Sequence, residues 1–495
     1  MKKHRFIIVS LLLSLVTLTV VAQEDMPLRG CRVGTPRPEG IALRRGAPTG
    51  VTKQTGGDFY HGERHQLTVM VEFNDRAFKG DEAATLAQWN KIFNTKDLTE
   101  EPFKGSVHDY FYAQSYGDFD LTFDLVYVKV KGDAKKYASD ATDENSRFLV
   151  QDIMEVLQTR DIDWSLYDWN GDGFVNQLLI VYAGHGMNDY SGDDLIWPHQ
   201  WWMSDHFQDG KQKPYCDPIP VTYNDKEYKV DCYCALQELT KNDDYGSFGT
   251  ICHEYTHCFG FPDFYSDKSY VGAWELMDYG NYNGEGYSPA GYSAHERWLM
   301  GWLTPTELTT ATTVTNMPAL SDEPQAYLIR NDGFPNEYYI VENRQQNGWD
   351  ASLPGNGIIV FHVDYDADLW VSTKTYVNTF SSQHYLIFPA NDISSTAYAK
   401  NWSYPYKENN ALTNTSTPAA IVWNKNSDGT KFMNKPLTNM AVAGGLASFD
   451  FSDTPTGLSA QPSALGLQPT VLYRFGSIDI IRTADGIIQK VVRCQ

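Results

Sequence analysis

The run His253-Glu254-Tyr255-Thr256-His257-Cys258-Phe259-Gly260-Phe261-Pro262-Asp263 reads H-E-x-x-H-x-x-G-x-x-D. Residues four apart lie above one another on a helix face, so two imidazoles at this spacing can reach one ion. Neutral imidazole suits zinc, and an open tetrahedral position leaves room for a water. Glu254 directly follows the first histidine and can accept a proton from that water. Gly260 lies where a helix often ends and where a positive φ costs glycine little. The chain can then turn and bring Asp263 back as a third ligand. This pattern points to zinc-dependent hydrolysis of peptide bonds. The alternative is an amphipathic helix that merely carries two hydrogen-bonded histidines.

Other residues with chemical potential lie outside this run. Trp274-Glu275-Leu276-Met277-Asp278-Tyr279-Gly280 offers Met277 as a hydrophobic floor beneath a metal, or as an ordinary core methionine. Asp278 and Tyr279 could brace the site or donate to an oxyanion. The loop Asp168-Trp169-Asn170-Gly171-Asp172-Gly173-Phe174-Val175-Asn176 sets oxygen side chains at Asp168, Asn170, Asp172 and Asn176 around a sharp glycine turn, as calcium requires. Its twelfth position is Leu179 rather than a bidentate glutamate, so further ligands would have to come from elsewhere. A plain turn ahead of a buried strand is the competing reading. Cys31 could cap the zinc as a thiolate until an N-terminal pro-segment leaves, although a disulfide or an ordinary thiol fits it equally. His185 and His199 flank a predicted central strand, and a local structural role is expected for both.

Composition narrows the class. The chain has 495 residues, enough for two to four domains, and 42% of them are apolar. Its net charge of −22 argues against nucleic acid, whose phosphates need a basic face. Lys2, Lys3 and Arg5 precede the apolar run Phe6 to Val21, and Val20-Val21-Ala22 is a small-residue cleavage site. This is the pattern of a bacterial signal peptide, so the product is expected to be secreted and to begin near Gln23. No later segment reads as transmembrane. An exported chain can form disulfides, and seven cysteines leave at least one over. Cys232 and Cys234 lie in a strand-like run and are not expected to bond to each other.

The chain divides by texture. Residues 1–22 form the signal peptide, and 23–64 are an extension or pro-segment rich in Arg, Gly and Pro. Strands are predicted over His65 to Phe73, Phe119 to Val130 and Gln177 to Tyr182. Helices are predicted over Thr85 to Ile92, Ser106 to Ala113, Glu144 to Leu157 and Ser247 to Phe259. Together these give an α+β domain over residues 65–303. Helical periodicity then fades. Strand-like runs over Tyr327 to Arg330, Glu337 to Glu342, Gly357 to Val363 and Tyr385 to Pro389 suggest a β-rich, sandwich-like domain over 304–452. Residues 453–495 form a linker and tail, with a hairpin turning at Asp485-Gly486.

Several of these motifs occur together in a characteristic order. They run from Ser106-Val107-His108-Asp109-Tyr110-Phe111 through Asp168 to Gly173, Tyr182-Ala183-Gly184, Ile196-Trp197-Pro198-His199 and the His253–Asp263 segment. They continue through Trp274 to Asp278 and Gly291-Tyr292-Ser293-Ala294-His295-Glu296-Arg297 to Gly301-Trp302. This series resembles the immune inhibitor A-like secreted metallopeptidases, in particular their Bacteroidetes-type members. It continues past the first domain through Glu342-Asn343-Arg344-Gln345 and Phe361-His362-Val363-Asp364-Tyr365. The resemblance implies a secreted zinc endopeptidase with a metzincin-like core and bound calcium, acting on protein or peptide substrates. It assigns His253, His257 and Asp263 as ligands, Glu254 as the base and Met277 as the Met-turn residue. Glu296 would take the place of Asp263 if the site were built in the gluzincin way. The tail resembles a shortened sorting signal of the type IX secretion route, a means of cell-surface attachment. Two rival readings remain at this level: a non-catalytic surface or adhesion protein on a peptidase scaffold, and a zinc amidase or esterase.

Overall fold

The computed structural model describes residues 60–454 apart from 139–144, 191, 207–215, 247, 267–268, 371–375 and 380, together with three strands between 470 and 492. The signal peptide, Cys31 and the Asp485-Gly486 turn lie outside the described residues. In chain order the first part contains β1 (Gly62–Glu72), α1 (Glu82–Asn94), α2 (Val107–Gln114), β2 (Phe119–Lys129), α3 (Ala134–Tyr137) and α4 (Ser146–Leu157). Next come β3 (Phe174–Val175), β4 (Leu178–His185), β5 (His199–Trp202), β6 (Ile219–Tyr223), β7 (Lys226–Val230), β8 (Cys232–Leu239), α5 (Phe248–Cys258) and α6 (Ala294–Leu299).

Among these residues the main sheet has the order β2-β1-β4-β8-β5. The β2, β1, β4 and β8 strands run parallel, and β5 pairs antiparallel with β8 at the edge. Parallel neighbours need crossover connections, which α1–α2 and α3–α4 supply. Sheet position explains the sequence patterns. The inner strand β4 is covered on both faces and reads as a continuous apolar run, with Leu178 to Val181 all buried. Edge strand β2 alternates instead, burying Leu121 and Phe123 while exposing Thr122. Local signals set the helix starts. Asp81 caps α1 by accepting from the Ala84 amide, and Ser106 and Asp109 form a capping box on α2.

After α6 the chain forms β9 (Thr306–Glu307), β10 (Thr312–Met317), β11 (Tyr327–Asn331), β12 (Phe334–Arg344), β13 (Gly357–Asp364), α7 (Ala367–Trp370), β14 (Tyr385–Ile387), β15 (Leu437–Ala443) and β16 (Leu446–Phe451). Among the described residues they form sheets of order β14-β13-β12-β11-β9 and β10-β16-β15. The β12 strand alternates between two cores. Tyr338 and Ile340 join the cluster that contains α5 and β4, while Tyr339 and Val341 join a second cluster with Val360, Phe388 and Phe449. The apolar core therefore runs on past residue 303.

The tail strands β17 (Thr470–Phe475), β18 (Ile478–Arg482) and β19 (Ile488–Val492) pair antiparallel in order. The expected hairpin is the β18–β19 pair. The strands β5 to β7, β15 and β16 carry little sequence signal, being short or polar on one face. Cys232 and Cys234 are two apart on β8 and so share a face. Both are buried thiols, as are Cys216, Cys252 and Cys258. No helix among the described residues is long and apolar enough to cross a membrane.

Candidate metal centre

The α5 helix carries His253 and His257 one turn apart, with ring centroids 4.9 Å from each other. Helix bonding ends where the Gly260 amide donates to the His257 carbonyl at 2.9 Å, and Gly260 has a φ of 100°. That left-handed step turns the chain, and the Phe264 amide anchors the return by donating to the Met277 carbonyl at 2.9 Å. Asp263 is thereby placed against both histidines. One ligand atom from each of His253, His257 and Asp263 lies within 4.8 Å of the others, and all three residues are buried. Among the described residues this is the one such cluster of potential ligands.

The hydrogen bonds fix which atoms face inward. His253 Nδ1 lies 2.9 Å from the Leu276 carbonyl, and His257 Nδ1 lies 2.7 Å from the Phe261 carbonyl. Carbonyl oxygens only accept, so each Nδ1 carries a proton and donates it. Each ring thereby turns its Nε2 toward Asp263. Nε2 of His253 and of His257 lie 3.2 and 3.4 Å from Asp263 Oδ1. At these distances the groups attract as charges, but the angles make no hydrogen bond, and both Nε2 atoms and both Asp263 oxygens are buried without one. Such orphaned atoms cost free energy, and a cation among them would satisfy them together. The donor set, two imidazoles and a carboxylate, fits zinc.

Charge coupling is strong here. Burial opposes charge on His253, but Asp263 and then Glu254 outweigh it and raise its pKa to about 9. Burial likewise raises Asp263, yet the two histidines hold it down at about 2. Without an ion, a proton on the imidazole serves as the countercharge; a metal ion would displace it.

The surrounding turn is braced by Asp278. Its Oδ2 accepts from Ser269 Oγ at 2.7 Å and from the Gly272, Val271 and Tyr270 amides at 2.9, 3.2 and 3.3 Å. Its Oδ1 accepts from the Tyr279 amide at 2.9 Å. Burial pushes this carboxyl up to about 6, against the pull of these hydrogen bonds. Asp278 therefore braces the loop and leaves no oxygen aimed at the histidines. Met277 is fully buried in the turn whose backbone holds His253 and Phe264. Glu254 is buried beside His253 on α5.

Glu296 does not join the ligand cluster. It closes a capping box at the start of α6, accepting from the Ser293 amide at 2.9 Å, while its Oε1 is buried without a hydrogen bond. The Asp168 loop also stands apart. Asp168 Oδ2 accepts from the Gly173 amide at 3.1 Å, Asp172 Oδ1 from the Phe174 amide at 2.8 Å, and Asn176 Oδ1 from the Trp169 amide at 2.6 Å. Asn170 donates to Asp172 at 3.1 Å. Asp168 Oδ1 is buried without a hydrogen bond, and Lys226 Nζ lies 3.7 Å from Asp168 Oδ2. His185 pairs with Asp243 at 3.1 Å, and His199 bonds to the Trp197 carbonyl and Tyr233, so neither approaches the cluster.

Sequence reasoning missed the Leu276 and Phe261 carbonyls, because a backbone acceptor leaves no residue-type signal. It also missed Asn378, which donates to the Phe264 carbonyl at 2.8 Å from more than a hundred residues downstream.

Fold and site together define a mixed α/β domain with a candidate metal-binding centre. Residues 64–302 match the family described as immune inhibitor A peptidase M6, catalytic domain, and this part of the chain belongs to that family of metallopeptidases. A comparison with curated proteins found no match.

Proposed function

We propose that the chain is a secreted zinc endopeptidase acting on extracellular proteins. The observation that carries this reading is the set of four orphaned ligating atoms on His253, His257 and Asp263, buried beside Glu254 in a peptidase-family domain. Bound zinc would lower the pKa of a coordinated water and polarise the scissile carbonyl. Glu254 takes the proton of the attacking water and delivers it to the leaving amine. The Leu276 and Phe261 carbonyls hold the rings in the tautomer that leaves Nε2 to the metal. Met277 and its turn form the floor of a metzincin-like core. Residues 304–452 act as a β-rich, sandwich-like unit that backs this core.

Export rests on the signal-peptide pattern of residues 1–22, and surface attachment on the tail. Calcium in the Asp168 loop is supported by the orphaned Asp168 Oδ1, and Lys226 weighs against it.

The test compares zinc content and casein cleavage of the chain lacking residues 1–22 with its Glu254→Gln variant. One zinc in both, with cleavage reduced by several orders of magnitude in Glu254→Gln, is expected. Zinc in both with cleavage in neither indicates a latent or non-catalytic protein, and trimming past Cys31 separates those two. No zinc in either removes the reading.

A further inference from the structure

Each side chain of the metal cluster needs something to aim it. For His253 and His257 that is a backbone carbonyl at Nδ1. Asp263 has no such partner, since both of its oxygens are buried without a hydrogen bond. Its aim is therefore set by the main chain that carries it. Upstream, the left-handed Gly260 ends the helix. Downstream, Phe264 is bonded through both of its backbone groups. Its amide donates to the Met277 carbonyl at 2.9 Å, and its carbonyl accepts from Asn378 Nδ2 at 2.8 Å. The Phe264 ring centroid also lies 4.3 Å from that of Tyr385.

Asn378 is fully buried. Its Nδ2 donates as well to the Tyr385 carbonyl at 2.6 Å, and its Oδ1 accepts from the His384 and Tyr385 amides, both at 2.9 Å. Two carbonyls face the nitrogen and two amides face the oxygen, so the side-chain amide fits in one orientation only. Three of these four bonds close the loop that carries Asn378. The fourth crosses to Phe264, 114 residues away in the chain, and closes nothing within that loop. It also comes from beyond residues 64–302, the part that matches the catalytic family.

We propose that Asn378 is a positioning residue of the metal centre: by fixing the Phe264 carbonyl it holds Asp263 against His253 and His257. This rests on the zinc reading above. The centre is thus completed by a side chain of the β-rich part, acting on the ligand that has no hydrogen bond of its own.

The experiment measures three quantities on the chain lacking residues 1–22. They are zinc affinity by competition with a chelator, the visible spectrum of the cobalt-substituted protein, and the Tm of the metal-free protein. Asn378→Asp keeps the size and the acceptor but turns an oxygen toward the Phe264 carbonyl. His384→Ala is the control, since it removes the 3.1 Å pair of His384 with Asp364, an anchor of the same loop that does not touch Phe264. Asn378→Asp is expected to bind zinc about 10–100-fold more weakly and to shift the cobalt spectrum. His384→Ala is expected to lower Tm with wild-type zinc affinity and spectrum. On top of Asp263→Asn, Asn378→Asp should cost less than about a further twofold, because the support has no ligand left to hold. Wild-type zinc affinity in Asn378→Asp would make Asn378 a clasp for its own loop and overturn the proposal. So would equal zinc loss in His384→Ala, or the full further loss on top of Asp263→Asn. If Asn378→Asp gives no cooperative unfolding, Phe264→Ala decides, as it frees the same residue from Tyr385 and keeps the carbonyl. Zinc affinity about 10-fold weaker supports the proposal, and wild-type affinity overturns it. In each of these cases zinc in the wild type, and cleavage that is lost in Glu254→Gln, leave the peptidase reading standing. A wild-type chain that holds no zinc, even when trimmed past Cys31, removes both.

Discussion

Asp263 and Glu296 are both buried carboxylates near the metal turn, and their surroundings give them different work. Asp263 faces two Nε2 atoms, and both of its oxygens are buried without a hydrogen bond. Glu296 instead closes the capping box of α6 through its Oε2, which accepts from the Ser293 amide at 2.9 Å, and it lies outside the histidine cluster. Asp263→Asn should therefore weaken zinc binding on the order of 10²-fold or more, since even indirect supports of a ligand are worth 10–100-fold. Glu296→Gln should retain full zinc content, because Gln still closes a capping box. Equal zinc loss in both would return the ligand assignment to Glu296.

The Glu275–Glu296 pair also makes stability depend on pH. Glu275 is pushed up by burial and then by the charge of Glu296, and burial raises Glu296 in turn. A folded pKa above the unfolded value means that the folded pair binds more protons. Its stabilising contribution is fully present below about pH 4.3 and is lost as pH rises through the folded titration. The fall in Tm from pH 5 to pH 8 should be smaller in Glu296→Gln by about 3 °C, corresponding to roughly 1 kcal/mol. An unchanged fall rejects a raised titration of this pair.

At the scale of elements, α5 is held in place by a glycine as much as by its apolar face. A Cβ on Gly249 would lie 1.8 Å from the Asn281 carbonyl oxygen, a backbone atom of the turn that comes after Met277. Gly249→Ala must push that turn away from the helix, and the Leu276 carbonyl that orients His253 lies at its entrance. A destabilisation of about 1–3 kcal/mol is expected, together with weaker zinc binding. Calorimetry and metal titration check the two effects, and wild-type values for both would show that the turn yields freely. The helix itself was legible in sequence, with its two histidines at helical spacing and Gly260 at its end. The contact at Gly249 was not, since its partner lies some thirty residues away and is a backbone oxygen.

In the whole molecule, the catalytic part and the β-rich residues beyond 303 share one apolar core and one buried ion network. Arg344 donates to Glu342 at 3.0 Å, to both Asp350 oxygens at 2.8 and 2.9 Å, and to the Gly291 carbonyl at 3.1 Å. Glu342 accepts from the Ala294 amide at 2.7 Å, and Asp350 from the Gly291 amide at 2.8 Å. Strand β12 is thereby fastened to the start of α6. Arg344→Ala would leave two buried carboxylates unpaired, with an expected loss of about 3–5 kcal/mol. A chain ending at residue 303 would expose the faces that Tyr338, Ile340 and Phe361 cover and should fail to give a cooperative unfolding transition. A stable, zinc-binding 60–303 fragment would disprove this dependence.

The sequence by itself determined the two histidines and the aspartate of the candidate centre, the helical spacing of the histidines, the glycine that ends the helix and the glutamate beside the first histidine. These depend on local backbone geometry, which four-residue spacing and a permitted φ already specify. Tertiary structure decided the rest: Asp263 rather than Glu296 at the histidines, the carbonyls that set their tautomers, and Asn378 against the Phe264 carbonyl. Those choices come from packing between segments distant in the chain and from backbone groups that every residue carries, so no local pattern could mark them.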